Sequence, residues 1–394
     1  MQCNEKGEEV KYDFDTAVDY RGANSLKHNF ARERGKPEDV LPLWVADMDF
    51  AMAPEILADI QKRVAQGVLG YTEPKDDYCD ALLAWFDSRL SYRAARHDII
   101  KTPGVVFALV AAIRAFTSPN DAVMIQTPVY YPFYDIVRNN GRALVSNPLV
   151  YADGRYTIDL ADFERKIIER DVKLFILCSP HNPVGRVWTR NELTAMNEIC
   201  ERHGIVVVSD EIHCDLVWPG HTQICFGTLN ENAVVATAPS KTFNLAGLQT
   251  SNVFIKNAAL RNKLKEEIHR SGYSQLNTLG LVACQSAYTQ GAAWLEEAKA
   301  YIAENIRLAR EFLTARLPKI KLIEPEGTYL LWLDFSAYGL TQNELDQRLT
   351  ESAKLWLSTG TTFGQEGEGF QRMNIACTRA TLTEALRRLE KEFK

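Results

Sequence analysis

No stretch of this 394-residue chain is apolar for long enough to cross a bilayer. Its longest purely apolar run is Val105–Ile113, whereas a spanning helix needs about 20 residues. Positive charge is not in excess either: Lys+Arg 45 stand against Asp+Glu 51, a net charge of −6 with a pI near 5.8. Nucleic-acid binding wants a clustered basic face, so that class is excluded. The eight cysteines (Cys3, Cys79, Cys178, Cys200, Cys214, Cys225, Cys284 and Cys377) are scattered, and none stand as CxxC. Nothing in them reads as a disulfide framework. The polar, charged Met1–Lys11 stretch lacks an apolar export signal, which predicts a reducing cytoplasmic setting. GxxxxGK(S/T), GxSxG, HExxH and a strand-linked GxGxxG are all missing. Their absence removes P-loop, hydrolase-elbow, zincin and Rossmann chemistry. The seven histidines do not fall at metal-ligand spacing, so no metal site is expected. There is no internal repeat, low-complexity tract or Pro/Gly-rich linker.

What the chain does have is ample apolar content, 46%, with 24% charged residues. A single core stops growing near ~250–300 residues, so two domains, or one large domain with an appendage, are expected. Short β-branched runs alternate with longer amphipathic ones, the texture of an α/β protein. Strands are predicted at Ala122–Gln126, Leu174–Cys178, Ile205–Ser209, Val234–Ala238 and Asn252–Lys256, apolar on both faces as in a helix-covered central sheet. Helices are predicted between them at Asp159–Glu169 and Arg190–Arg202. From about Gly291 the pattern changes to long helices (Ala292–Leu317, Asn343–Ala353, Thr381–Phe393) around a Tyr329–Phe335 strand. The expected organisation is an N-terminal arm over 1–50 that joins the small domain, a large domain over 51–290, and a small α+β domain over 291–394.

Polar residues follow the carboxyl ends of four predicted strands: Thr127-Pro128-Val129-Tyr130-Tyr131, Ser179–Gly185, Asp210-Glu211-Ile212-His213 and Pro239-Ser240-Lys241. Ligands of open α/β sheets bind outside those ends, so the four loops nominate one crevice. Taken singly, each residue has a plain reading. Lys241 is either a solvated loop lysine or an amine activated by partial burial. Asp210 is a helix N-cap, half of a metal-binding Asp-Glu pair, or a buried carboxylate in need of a partner. Asn182 sits in NPxG, a turn signature in its own right. Tyr130 and Tyr131 are packing residues or stacking faces. Thr102-Pro103-Gly104 leads into an apolar helix whose first amides suit a phosphate. Together the parts match the needs of pyridoxal phosphate: a Schiff-base lysine, an anion for the pyridine nitrogen, a donor for the ring oxygen, an aromatic face and a phosphate cup.

Six strings occur in order along nearly the whole chain: LGYT (Leu69–Thr72), TPVYYPFY (Thr127–Tyr134), SPHNPVGRVW (Ser179–Trp188), SDEIH (Ser209–His213), APSKTFNLAG (Ala238–Gly247) and EGTYLLWLDF (Glu326–Phe335). They are framed by VADMDF (Val45–Phe50) and RMNIAC (Arg372–Cys377). With them the sequence resembles fold-type I pyridoxal-phosphate enzymes of the class I/II aminotransferase superfamily. Within these it is similar to the cystathionine β-lyase/cystalysin-type C–S lyases. The resemblance implies an α/β fold, a large domain with a mostly parallel seven-stranded sheet flanked by helices plus a smaller α+β domain. It implies that Lys241 carries the cofactor as a Schiff base and, once released, moves the Cα proton. Asp210 is implied to pair with the pyridine nitrogen, Asn182 to donate to the ring oxygen, and Tyr130 to stack on the ring. Ser240 and the amides of Val105 and Val106 are implied to hold the phosphate. Tyr71 is implied to reach the phosphate of the partner subunit in a homodimer with a shared site, and Arg372 to grip the substrate carboxylate. Tyr131, with Tyr71, is a candidate at the leaving-group side.

Three positions depart from the superfamily pattern. Gln249 stands where many members have a phosphate-binding arginine. His213 stands where aminotransferases carry a tyrosine to the ring oxygen. Leu357–Gly364 reads LSTGTTFG, with Thr361 or Thr362 near a frequent tyrosine. The implied activity is β-elimination of L-cystathionine, L-cysteine or related S-substituted cysteines to a thiol, pyruvate and ammonia. Two alternatives stay open: an aminotransferase, which shares every cofactor residue, and a secondary regulatory role through protein binding.

Overall fold

The computed structural model describes residues 2–3, 9–20 and 22–394. Of the Met1–Lys11 stretch, Met1 and residues 4–8 lie outside the described residues. Among the described residues no helix is long and apolar enough to cross a membrane.

A seven-stranded sheet organises the centre. Its strands in chain order are β1 (Ile99–Thr102), β2 (Ala122–Thr127), β3 (Ala143–Pro148), β4 (Val172–Cys178), β5 (Val206–Asp210), β6 (Val234–Thr237) and β7 (Ser251–Phe254). They lie in the order β1-β7-β6-β5-β4-β2-β3. The pairings among β2 to β6 are parallel, while β7 is antiparallel to both of its neighbours. Both faces are covered, as continuous apolar strands require. Leu174 and Ile176 face the helix Val105–Phe116, and Phe175 and Leu177 face the opposite core. The predicted strands fall on β2, β4, β5, β6 and β7 with end shifts. The largest are two residues, at β4, which starts at Val172 instead of Leu174, and at β7, which stops at Phe254 instead of Lys256.

Register places the crevice. Asp210 pairs with Cys178 on one side and Ala236 on the other, so β4, β5 and β6 end level. Ser179, Asp210 and the short helix Pro239–Thr242 therefore emerge side by side.

A second, four-stranded sheet contains β8 (Lys321–Ile323), β9 (Leu330–Asp334), β10 (Ser358–Thr359) and β11 (Phe370–Asn374), in the order β8-β9-β11-β10 with antiparallel pairing. The helices Ala292–Arg316 and Arg379–Phe393 accompany it. The predicted helix over Asn343–Ala353 is instead a short α-helix, Gln342–Gln347, running into a π-helical turn at Arg348–Ser352. Its start is set by a Thr341/Glu344 capping box.

Two seams join the sheets. The arm pairs Leu41–Pro42 with Leu355–Trp356, and then Asn374 N–H donates to Leu43 and Asp49 N–H to Ala376. Across the crevice floor, Glu326 and Gly327 N–H both donate to Gly185, and Thr328 N–H donates to Leu216. The Arg186–Glu326 ion pair, 2.8 Å with both side chains under a tenth exposed, fastens the same seam.

Candidate active site

Lys241 lies in the short helix that follows β6, and its Nζ donates to the Ala46 carbonyl at 2.6 Å. The helix is fixed from below by Thr242, whose hydroxyl donates to buried Asp215 at 2.9 Å. Trp85 Nε1 donates to the other oxygen of Asp215 at 3.0 Å. Asn244 ties the following loop to the arm by donating to Met48 and Phe50 carbonyls and accepting from Met48 N–H. Burial lowers the Lys241 amine to about 8, against the opposing pull of the Asp47 and Asp210 carboxylates. About a tenth of the amine is thus unprotonated at pH 7, far more than for an ordinary lysine.

Asp210 ends β5 with its side chain 4% exposed. Burial pushes its carboxyl up to about 7, although Ile212 N–H donates to it at 3.1 Å and Lys241 lies nearby. A carboxylate held so expensively is a receptor for a buried cation. His213, one turn further, is buried with Nδ1 unpartnered, and burial drives it down to about 3, so its ring is neutral.

Arg372 enters from β11. Its Nη1 donates to Asn182 Oδ1 at 3.1 Å, and Nη2 donates to the Trp44 carbonyl at 2.8 Å and to Ser358 Oγ at 3.2 Å. The guanidinium lies 4.7 Å from the Phe363 ring centroid. Its Nε is buried without an acceptor, a donor left for an incoming carboxylate. Burial lowers Arg372 to about 10, so it remains charged.

Tyr130 is partly buried beside the ring of Tyr131, with centroids 5.4 Å apart. Burial raises its hydroxyl to about 12. His181 couples this loop to Asn182's loop, its Nε2 lying 2.8 Å from the Pro128 carbonyl. Gly104, at φ 152°, opens the helix Val105–Phe116, and no side chain caps that end. A Cβ at Gly104 would meet nothing within 4 Å, so open space lies over the first amides. Val105 is buried and Val106 partly exposed there, and Ser240 is half-buried.

The central sheet's carboxyl ends therefore gather Lys241, Asp210 and Asn182, and Arg372 meets them from β11 of the second sheet. Tyr71 stands apart, 93% exposed, and Tyr131 is 42% exposed. Gln249 is exposed, in a left-handed conformation. Reading the sequence passes over Ala46, Asp47, Trp44, Tyr329 and Ser358. The first three flank or lie in VADMDF, one of the strings that carry the family resemblance, and no local pattern places the arm in the crevice.

The donor set suits a flat, cationic aromatic cofactor bearing an aldehyde and a phosphate. It offers an amine for the carbonyl, a buried anion with one donor, an amide beside it and an uncapped helix start.

The comparisons with known proteins agree. The chain is 44% identical over 381 residues to cystathionine beta-lyase PatB of Bacillus subtilis, covering 96% of this chain and 98% of that one. Among solved structures it superposes on pyridoxal-5′-phosphate-containing cystalysin from Treponema denticola with a TM-score of 0.94 at 36% identity, covering 97% and 99%. A pyridoxal-phosphate-bound chain from Clostridium difficile 630, provisionally named an aminotransferase, gives 0.95 at 40%, covering 98% and 100%. The sequence model "Aminotransferase class I and II" matches residues 38–389, and the chain belongs to that family.

Proposed function

We propose that the protein is a pyridoxal-phosphate-dependent C–S β-lyase that splits L-cystathionine or a related S-substituted cysteine into a thiol, pyruvate and ammonia. The observation that carries this is the convergence of a lowered Lys241 amine and a buried Asp210 carboxyl at the central sheet's ends with a guanidinium, bearing a spare donor, that reaches them from the second sheet. This convergence occurs in a chain 44% identical to a cystathionine beta-lyase.

Pyridoxal phosphate, when bound, supplies the electron sink that makes an amino acid's Cα–H acidic. Asp210 holds the ring nitrogen protonated, Asn182 donates to the ring oxygen, and Tyr130 covers the ring face. Ser240 and the Val105 and Val106 amides take the phosphate. His213, neutral and buried, is a lesser contact near the ring. Arg372 fixes the substrate carboxylate. Lys241 removes the Cα proton, and Tyr131 lies at the mouth, where the sulfur leaves. Arm, large domain and small domain divide near residues 50 and 290 in this reading, with the crevice between them. The exposed Leu69-Gly70-Tyr71 stretch belongs to a homodimer interface, where Tyr71 completes the partner's phosphate site.

The test is the holoenzyme with L-cystathionine and no 2-oxo acid. Pyruvate and thiol should appear in equal amounts over many turnovers. Arrest after one turnover, with the cofactor left as its amine, would refute the lyase assignment and make the protein an aminotransferase.

A further inference from the structure

Ala46 and Asp47 lie on the arm where it passes Lys241. The Ala46 carbonyl accepts from Lys241 Nζ at 2.6 Å and from the buried Tyr329 hydroxyl at 2.9 Å. The Asp47 backbone is pinned separately, its carbonyl accepting from Asn374 Nδ2 at 2.7 Å and Lys27 Nζ at 3.3 Å. Its side chain is different. Asp47 Oδ1 is buried and accepts no hydrogen bond. Lys27 Nζ is 3.9 Å from it, and that ammonium is already engaged by Asp49 Oδ1 at 2.9 Å. The carboxylate is 35% exposed as a whole, so this one oxygen is turned inward with no donor on it, where a nearby cation is favoured.

Resting on the pyridoxal-phosphate reading above, we propose that Asp47 is a positioning residue for Lys241. Its carboxylate stabilises the lysine's ammonium form beside the Ala46 carbonyl, and so sets the pH at which the amine is free to act. When Lys241 takes the Cα proton, a C–H bond breaks, an N–H bond forms and the amine becomes a cation inside the crevice. Asp47 is the anion adjacent to the carbonyl that already receives it.

Four charged or titratable groups surround Lys241. Asp47 comes from the arm, Asp210 from the end of β5, His213 from the loop after it and Arg372 from β11. Both carboxylates favour the ammonium and Arg372 opposes it, with Asp47 the larger of the two carboxylate influences. His213 is neutral in place. Asp47 is itself faced by Lys27, Lys241, Tyr20 and Tyr329.

The experiment uses the full chain stripped of cofactor, with pyridoxal phosphate as the probe and imine absorbance as the readout. The rate of imine formation is followed against pH. Removing the anion destabilises the ammonium, so Asp47→Asn and Asp47→Ser should shift the midpoint to lower pH. At a fixed pH below the wild-type midpoint they should react roughly threefold or more faster, about half a pH unit. Asp47→Glu keeps the charge and should stay near wild type. A purely structural role would alter thermal stability in all three variants without sorting them by charge. An unshifted midpoint in both neutral variants, or an equal shift in Asp47→Glu, would overturn the proposal. If wild type reacts no faster than Lys241→Ala, the cofactor reading itself falls, and the assignment of Asp47 with it.

Discussion

Replacing Asp210 by asparagine separates what the fold needs from what the site needs. The side chain is 4% exposed, and burial moves its carboxyl from 3.8 to about 7. Ionising it in place therefore costs about 4 kcal/mol at 1.36 kcal/mol per pH unit. A folded-state value raised above the unfolded one means the native chain holds the proton longer. Its contribution to cofactor-free stability should thus fall as pH rises from about 4 to 7, by up to about 4 kcal/mol. Asp210→Asn removes that one contribution and keeps those of the other buried groups, such as Glu211, whose carboxyl burial also raises to about 7, so the difference between variant and wild type should grow over this window. The variant should match wild type near pH 4 and exceed it at pH 8. The cofactor-loaded protein should behave in the opposite sense, because the charge then has a cation to hold. Losing about 4 kcal/mol of that pairing corresponds to about three decades in turnover. The assays are urea unfolding of the stripped chain at several pH values and pyruvate release by the loaded enzyme. A variant less stable than wild type at pH 8 without cofactor, or one with undiminished turnover, would refute the reasoning.

Arg372→Lys keeps the charge but loses the planar fork that reaches Asn182, Trp44 and Ser358 at once. kcat/KM for L-cystathionine should fall roughly a hundredfold or more, and a loss under tenfold would show that the carboxylate docks elsewhere. Mixing inactive Lys241→Ala chains with Tyr71→Phe chains tests the shared site. Random reassortment gives hybrid dimers with one intact site each, and activity should recover toward roughly a quarter of wild type. No recovery would place Tyr71 in its own protomer's site. Arg186→Met breaks the buried pair to Glu326 and should cost about 3–5 kcal/mol in unfolding experiments. Adding Glu326→Leu should restore part of that loss, since the buried Glu326 charge is then gone and only the more exposed Glu192 and Arg155 lose a partner.

Much of this molecule is decided locally, and such features are visible in one dimension. A β-branched run such as Ile205–Val208 favours a strand covered on both faces, so the middle of the sheet and its carboxyl-end loops follow from pattern. Lys241, Asp210 and Asn182 sit within a few residues of those ends, which is why they could be named with the crevice they share. Boundaries were less legible where hydrogen bonding competes with pattern: Asp159 caps its helix from outside, and Arg348–Ser352 widens into a π-turn after the Thr341 box. The antiparallel insertion of β7 carries no local signature, because an apolar strand reads the same in either direction. Asp47 illustrates what only the tertiary structure decides. Its meaning depends on Ala46, some two hundred residues before Lys241, folding back to meet the amine. No periodicity encodes such a contact. The sequence by itself determined five of the seven central strands, missing Ile99–Thr102 and Ala143–Pro148, and which polar groups leave their ends. The fold decided which charges are buried together, and burial is what turns an ordinary lysine and two aspartates into a reactive set.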